Sequence, residues 1–573
     1  MTRIVGKELS LDSSIEKMSR LLRDHGFDLE QSNWLNAIPN VWSVQLEDKE
    51  CPLLCTVGKG VSKKAALASA LGGFLERVSC NSFFASFYFG STQSKASFVH
   101  YPNERWFPIE GDSIPEGLLD DATLSHYNMD DELKARMLVD FNSANNDRGI
   151  CALPFMHQST GCEVWFPVSI IGGLYINHGT ATGCSSFEAR VQALSEIFEH
   201  HIKNTILSSG ISLPRVPESI VAQYPIIEET LEVLRAHGYL VYILDASLGG
   251  KFPLVNVTLF NSEDGGCFSS FGAHPKFEVA LQRAVTELLH GRALDSLGAF
   301  LEPVFDLRLV ADQRNIESHF TDSSGLVSWD LFSNDPDYQF AEWNVDGDSE
   351  AEFYHLCHLI HRVDMDIYIS DYEYMGIYAC RIIVPGMSDI FPVELLVRNN
   401  KNGLAEQRDV FGRMALAHDD ELESLLRVIE EADIEGGKFV ADLLGFAPDV
   451  DSRYIDLSIS ELKCLLYMRL GLNEAAAKEN EWLVLSGFLA PARLKQQRCL
   501  GQLLRLSFQD GVCFGEIKSV LVDLYGEELV LLCQEMLQGR RIFDDFQPID
   551  SDLVCFKRHS SLLAAYKRLG RFK

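Results

Sequence analysis

Residues 183–200 place charged groups in a pattern that few folds can accommodate. The stretch reads GCSSFEARVQALSEIFEH and predicts a helix capped by Ser185 or Ser186, because a serine hydroxyl accepts from the first free backbone amides. At about 100° per residue, four polar positions fall within about 80° of one another. This stripe consists of Glu188, Gln192, Glu196 and Glu199. Apolar side chains, including Val191 and Phe198, occupy the opposite face.

Two interpretations of this stripe are open. Like charges that share one helix face repel each other, so the stripe needs either water or a cation. The more common arrangement is the solvated outer face of an amphipathic helix. The alternative is a wall of oxygen ligands for a hard cation, as Mg²⁺–nucleotide chemistry requires. The rest of the chain has to distinguish them.

The net charge of the chain limits the classes of molecule that can bind to it. The 573 residues carry a formal net charge of −32, and such a surface repels nucleic acid and anionic membranes at long range. Neither is therefore expected as a partner, whereas ATP can bind where Mg²⁺ bridges phosphate and carboxylate. The 14 cysteines include no C-x-x-C pair, which favours reduced thiols. With no signal peptide or membrane-spanning segment apparent, we expect a soluble cytoplasmic protein.

A second helix is predicted from residue 63 to about residue 84. Ser62 is its expected N-cap, and its first half is rich in alanine. Ser69, Gly73 and Glu76 lie at i, i+4 and i+7 and so share one face. A mid-helix glycine costs roughly 1 kcal/mol relative to alanine. The pair Gly72-Gly73 therefore indicates either another backbone packed closely against the helix or a space that has been cleared.

A third helix is predicted over residues 276–293. It carries Arg283 and Glu287 at i, i+4. Such a pair is ordinarily a surface ion pair that contributes little stability. The alternative is that both side chains belong to the same site as the charged stripe.

The predicted fold is α+β up to residue 395 and all-α over residues 396–573. The pattern of strand-forming residues predicts strands at 41–46, 52–58, 152–155, 164–171, 174–176, 241–244, 253–260, 267–272, 366–373 and within 378–389, where the segment ends in a turn. A further turn is predicted at 58–60. Helical periodicity predicts helices at 11–25, 226–237, 419–432, 460–469, 473–485, 494–508, 517–524, 528–538 and 562–569. Residues 462–482 resemble one tetratricopeptide-type hairpin, which favours either contact with another protein or a plain helical domain.

Four segments occur in the order and spacing of the YcaO family, which the chain resembles. They are GKG at 58–60 with KKAALASALGGFLER at 63–77, EARVQALSEIFE at 188–199, QRAVTELLHGR at 282–292 and IIVPGMSD at 382–389. The resemblance extends over nearly the whole chain, including the helical C-terminal part. No G-x-x-x-x-G-K-[S/T] motif is present, so a P-loop is excluded.

The resemblance implies a fold in which mixed sheets and long helices frame an ATP cleft. Members of the family use ATP and Mg²⁺ to phosphorylate a backbone amide oxygen, after which a Cys, Ser or Thr side chain closes an azoline or sulfide gives a thioamide. One branch is linked to methylthiolation of an aspartate in a small-subunit ribosomal protein, as accessory factor to a radical-SAM methylthiotransferase. The resemblance thus implies ATP and Mg²⁺ as cofactors, a protein or peptide substrate, that methylthiotransferase as a partner, and a homodimer.

The site residues that the resemblance implies fall on the segments described above. The expected Mg²⁺ and phosphate ligands are Glu76, Glu188, Glu196 and Glu199. The expected nucleotide contacts are Lys7, Ser14, Gln192, Arg283 and Glu287, to which Ser69 is added from its position on the second helix. Arg283 and Glu287 form the final pair of the ATP site and are the expected catalytic residues. Carboxylates hold hard cations and arginine clamps phosphate, so the set is chemically coherent.

Four positions depart from the family pattern. Gly73 stands where the family has Glu, Ala181 and Cys184 stand where it has Ser and Asn, and His200 stands where it has Arg. We expect Glu199 and the C-terminal half of the helix to raise the pKa of His200, which would give a substitute positive charge. The chain also ends GRFK, without the Pro-rich tail of azole-forming members, which argues against peptide cyclodehydration.

These departures leave three hypotheses about function. The first is an ATP-using amide activator or accessory factor for modification of a ribosomal protein. The second is a degenerate member that has lost ATP turnover and acts as a dimeric scaffold through its helical C-terminal part. The third is a peptide-binding helical adaptor with a vestigial front domain.

Overall fold

The computed structural model describes residues 6–93, 96, 98–294, 300–396, 400, 403–487, 489–508, 513–550 and 552–570. Within these ranges the strands are β1 (Leu29–Ile38), β2 (Val41–Asp48), β3 (Cys51–Gly60), β4 (Arg105–Phe107), β5 (Ile150–His157), β6 (Glu163–Pro167), β7 (Thr180–Gly183), β8 (Tyr239–Asp245), β9 (Leu254–Asn261), β10 (Cys267–Ala273), β11 (Tyr368–Tyr372) and β12 (Tyr378–Ile383). The last three residues of the chain, which form most of its GRFK ending, lie outside the described residues.

The helices of seven or more residues extend over both halves of the chain. They are α1 (Leu11–Asp24), α2 (Lys63–Ser79), α3 (Asp121–Tyr127), α4 (Ser186–Ser209), α5 (Pro225–Ala236), α6 (Phe277–Leu288), α7 (Gln313–Thr321), α8 (Ser349–His361), α9 (Asp419–Glu431), α10 (Ile459–Arg469), α11 (Asn473–Leu485), α12 (Pro491–Phe508), α13 (Phe514–Tyr525), α14 (Glu527–Leu537) and α15 (Lys557–Gly570). The predicted class, α+β followed by an all-helical region, is confirmed. No helix of the described residues is long and apolar enough to cross a membrane.

Three antiparallel sheets carry the strands of the described residues. One has the order β1-β2-β3 and another the order β10-β9-β8. The third has the order β4-β5-β11-β12-β7, with β6 paired to β5. Helix α4 packs on β7, β12 and β10, helix α2 on β3 and helix α6 on β10. Packing on the sheets therefore places helices α2, α4 and α6 around a common cavity.

Close backbone packing fixes α2 on the first sheet. A Cβ atom added to Gly58 would lie 2.2 Å from the backbone N of Ala70 and 2.3 Å from the carbonyl O of Ala66. Backbone atoms cannot move aside as a flexible side chain can, so only glycine fits here. This strand continues through Gly60, and the turn predicted at residues 58–60 is wrong.

The predicted strands at residues 168–171 and 174–176 are also wrong. After β6 ends at Pro167, residues 168–170 form one helical turn and residues 171–175 a π-helical turn. Ile176 then reverses the chain with φ = 47°. The segment is almost entirely buried, and a short apolar run that is buried on all sides carries no periodicity to separate a strand from a helical segment.

The C-terminal helix α15 packs back onto the first sheet. Tyr566 stacks on Phe89, with ring centroids 4.6 Å apart, and Arg568 lies over the ring of Phe27. Arg568 also pairs with buried Asp48. Helix α15 therefore shares a hydrophobic core with α2 and the first three strands. Residues 396–573 remain our predicted second domain, with α15 as its link to the first.

Candidate functional site

The ten residues expected to form the site line one cavity of about 520 Å³. They are Lys7, Ser14, Ser69, Glu76, Glu188, Gln192, Glu196, Glu199, Arg283 and Glu287. Helices α2, α4 and α6 form the walls, and the segment from Gly6 to Ser14 lies across the N-terminal end of α4. Residues up to 280 positions apart in the chain thus face a common space.

The charged stripe of α4 is not a solvated outer face. Ser185 caps the helix and accepts from the backbone N of Glu188, as predicted. Glu188 is only 6 % exposed, and its carboxylate accepts from Nζ of Lys7 at 2.9 Å. The opposite face, including Val191 and Phe198, is buried in the core. The common interpretation of the stripe is therefore wrong, because the N-terminal segment and two other helices enclose it.

Two carboxylates of the cavity have raised pKa values, and both would be stabilised by a bound cation. Burial, with added repulsion from Glu76 and Glu199, raises the pKa of Glu196 well above its ordinary value. Burial also raises the pKa of Glu76 to about 7, although the hydroxyl of Thr180, 2.7 Å away, opposes the shift. A divalent cation between these groups would relieve both the repulsion and the lost hydration.

Two lysines of the cavity were missed by the sequence analysis. Lys203 lies one helical turn beyond Glu199 on the same stripe, so the helical spacing alone could have identified it. Lys59 was assigned to a turn, but it lies on β3 and pairs with Glu287. Burial lowers the pKa of each lysine to about 8, and Glu199 opposes the shift in both cases. Both ammonium groups therefore lie close to the acidic wall.

Arg283 and Glu287 do not form the surface ion pair that their spacing favours. Arg283 donates to the side-chain oxygen of Gln192 and, at 2.9 Å, to the carbonyl of Ala273. Glu287 instead pairs with Lys59 and lies 3.4 Å from Nδ1 of His290. Helix α6 turns both side chains toward the cavity, where their partners come from other elements.

The two adjacent glycines of α2 have different explanations. A Cβ atom on Gly73 would meet nothing nearer than Cγ2 of Thr56 at 4.0 Å, so this glycine clears space for the cavity. At Gly72 a Cβ atom would lie 3.4 Å from Oγ1 of Thr182, which donates to the Gly72 carbonyl at 3.0 Å. The cleared-space interpretation therefore holds for Gly73, whereas a methyl group at Gly72 would make ordinary contact with the Thr182 side chain.

The other three departures from the family pattern differ in their surroundings. Ala181 is fully buried in the hydrophobic core. Cys184 lines the cavity, and its Sγ lies 3.7 Å from Oγ of Ser14. His200 was expected to be protonated, but burial lowers its pKa well below the ordinary value, and nearby Lys203, His178 and Lys59 add to the effect. The expected raised pKa is therefore wrong, because burial and the neighbouring basic groups all lower it.

A further carboxylate comes from a helix that the sequence analysis did not predict. Glu352 on α8 lines the cavity, is 1 % exposed and pairs with Lys276 at 2.7 Å. Its helix carries apolar residues on most sides, so its periodicity is weak. Counted over the described lining residues, seven acidic side chains face four basic ones. This excess of negative charge suits divalent cations and does not suit a bare phosphate group.

Comparison with known protein families shows which family the chain belongs to. Residues 57–388 match the family model described as YcaO cyclodehydratase, ATP- and Mg²⁺-binding. The chain belongs to the YcaO family. Residues 405–573 match the model of the YcaO cyclodehydratase C-terminal domain. The predicted cofactors, ATP and Mg²⁺, are those in the description of the family, and they agree with the acidic cavity.

Two full-length relatives resemble the whole chain. The ribosomal protein S12 methylthiotransferase accessory factor YcaO of Escherichia coli (strain K12) is 47% identical over 580 residues, covering 100% of this chain and 98% of its own length. An uncharacterized protein of Haemophilus influenzae is 42% identical over 578 residues, with the same coverage. Among solved structures, YcaO from Methanopyrus kandleri bound with AMPPCP and Mg²⁺ has 16% identity and a TM-score of 0.41, covering 66% of this chain and 92% of its own.

Proposed function

We propose that this chain is an ATP- and Mg²⁺-dependent YcaO protein that activates a backbone amide by phosphorylation. We further propose that it serves as accessory factor in the β-methylthiolation of a small-subunit ribosomal protein. The observation that carries the proposal is that the ten expected residues, which come from separate segments of the chain, converge on one cavity. The name of the Escherichia coli relative supports the choice of substrate and of a methylthiotransferase as partner.

The side chains of the cavity have different roles in the proposed reaction. When bound, ATP and Mg²⁺ supply a γ-phosphoryl group that passes to the amide oxygen while ADP leaves. Glu76, Glu196 and Glu199 would hold the cations, since all three carboxylates line the cavity. Arg283, oriented by Gln192 and the Ala273 carbonyl, directs positive charge at the phosphates. Lys203 adds charge beside His200, where the family has arginine.

The entrance and the helical region have proposed roles as well. The Lys7–Glu188 pair ties the N-terminal segment across the end of α4, and with Ser14 it would close over the nucleotide. We propose that Ser69 contacts the nucleotide from α2. Helices α10 and α11 form a hairpin that we propose, as a tetratricopeptide-like element, contacts a protein partner or the second subunit of a homodimer.

A second candidate function is a dimeric scaffold that binds nucleotide weakly or without turnover. Two observations favour it: Gly73 leaves empty volume where a carboxylate is expected, and His200 lacks the fixed charge of arginine. Loss of one such group in a preorganised site costs about 3 kcal/mol of transition-state stabilisation. This hypothesis differs from the first in turnover, not in fold.

Calorimetric titration of the full-length chain with ATP and Mg²⁺, together with a phosphate-release assay, tests the proposal. We expect saturable binding of one nucleotide per chain and slow phosphate release that a substrate protein accelerates. Binding without release, with or without substrate, would favour the scaffold. No heat of binding at millimolar nucleotide would contradict both the nucleotide site and the proposed activity.

We expect the affinity for Mg·ATP to be greatest between about pH 7 and pH 8. Below pH 7, protons compete with the cation at Glu76, whose pKa is about 7, and at Glu196, whose pKa burial also raises, so affinity falls by up to about tenfold per pH unit for each group. Above pH 8, Lys59 and Lys203 lose the charge that faces phosphate, because their pKa values are about 8. Titrations across pH 5.5–9.5 measure both limbs, and Glu76→Gln should flatten the acidic one. An unchanged acidic limb in this variant would assign it to another group.

A further inference from the structure

A second group of potential metal ligands adjoins the acidic cavity. One ligand atom from each of His178, Glu196 and His200 lies within 4.8 Å of the other two. His178 comes from the loop before β7, and the other two residues lie one turn apart on α4. Two imidazoles and one carboxylate form the ligand set of many zinc sites and of some iron(II) sites, and they differ from the all-oxygen set that Mg²⁺ prefers.

The hydrogen bonding of His178 leaves one nitrogen available to a metal. Its Nδ1 lies 2.8 Å from the carbonyl O of Ser388, which can only accept, so Nδ1 carries the proton. In the neutral ring Nε2 then holds a lone pair, and the carbonyl O of Glu196, 3.4 Å away, is another acceptor that cannot bond to it. Metal-bound histidines characteristically donate their second N–H to a carbonyl in this way.

His200 also has a ring nitrogen that is available to a metal. Its Nδ1 is buried and has no hydrogen-bond partner among the described residues. The ring meets that of His178 edge-on, with centroids 4.9 Å apart, and Phe320 lies against both rings. The unpartnered Nδ1 of His200 therefore belongs to a ring that packing holds next to His178.

We propose that His178, Glu196 and His200 bind one divalent transition-metal ion of the Zn²⁺ type. Glu196 lines the acidic cavity as well, so its two oxygens can serve this ion and the Mg²⁺ of the nucleotide at once. The ion would supply a fixed positive charge next to the phosphates, where the family has an arginine and this chain has a neutral histidine. This consequence rests on the proposed function, whereas the binding of the ion does not.

Titration of the full-length, chelator-treated chain with Co²⁺ alone, and then with Zn²⁺ alone, tests the site. We expect one Co²⁺ per chain with a visible spectrum typical of nitrogen and oxygen ligands in four- or five-coordinate geometry, and displacement by Zn²⁺. His178→Gln and His200→Gln should each weaken binding at least about tenfold. The matched control, His237→Gln, changes an exposed histidine on the surface and should leave binding unchanged.

Two outcomes would overturn the proposal. One is a spectrum dominated by thiolate-to-cobalt charge transfer, which would mean that some of the 14 cysteines hold the metal. The other is unchanged affinity in both histidine variants, verified as folded by circular dichroism. His200→Arg should also abolish Co²⁺ binding, because a guanidinium group offers no lone pair to a metal. Wild-type chain that binds Co²⁺ but no Mg·ATP would retain the metal site and refute the proposed function.

Discussion

Replacing Glu199 with glutamine is expected to weaken Mg·ATP binding by at least about 100-fold, or about 2.7 kcal/mol. The substitution keeps the shape of the side chain and removes one negative charge from the acidic wall. The cost is large because Glu199 offsets the burial of Lys59, Lys203 and Arg283, all of which face the cavity. Removing one partner from a buried set of charges leaves the others uncompensated.

Calorimetric titration of the variant with ATP at saturating Mg²⁺ measures this loss. Glu232→Gln is the matched control, because it makes the same chemical change on the exposed face of α5, outside the cavity. A thermal melt of both variants separates loss of the site from loss of the fold. If Glu199→Gln bound Mg·ATP as tightly as the control, the stripe of α4 would not be the cation wall.

The second large effect is expected from Gly58→Ala, which should destabilise the protein by about 3 kcal/mol or more. The added methyl group would overlap backbone atoms of Ala70 and Ala66, and neither can move without separating β3 from α2. Because Lys59 follows directly on the same strand, the affinity for Mg·ATP should fall as well.

Gly73→Ala provides the contrast on the same helix. Its methyl group would meet no atom within 4.0 Å of it other than Cγ2 of Thr56, so it fits. Alanine is favoured over glycine within a helix by roughly 0.5–1 kcal/mol, and stability should stay the same or rise. Chemical denaturation of both variants, with circular dichroism as the readout, compares them. Equal midpoints would show that the contact between β3 and α2 does not limit stability.

Much of the fold followed from local patterns. Ser62 and Ser185 cap the helices that they were expected to cap, and α11 begins and ends as predicted. Residues 168–171 and 174–176 were wrongly predicted as strands, because burial on all sides removes the periodicity on which the prediction depends. Strands β1, β4 and β7 were not predicted. The helix predicted from residue 63 to about residue 84 ends instead at Ser79, and the one predicted over 276–293 spans only Phe277–Leu288.

The site followed from the sequence in part. The stripe of α4 could have been extended to Lys203, since helical spacing alone places it beside Glu199. Glu352 could not have been found this way, because nothing in its own helix indicates which other elements lie opposite. Lys59 was present in a recognised segment, but its role depends on whether the strand ends before or after it, and strand ends are set by pairing with β2.

The sequence by itself determined which side chains share a face: the four polar groups of α4, the cleared position on α2, and the order of segments typical of the YcaO family. These are properties of helix geometry and of short spacings. Only the tertiary structure decided that the polar stripe faces an enclosed cavity, that Arg283 and Glu287 bind partners other than each other, and that His200 is neutral beside His178. Burial and electrostatic environment depend on elements far apart in the chain, and their effect on charge exceeds that of any neighbour in sequence.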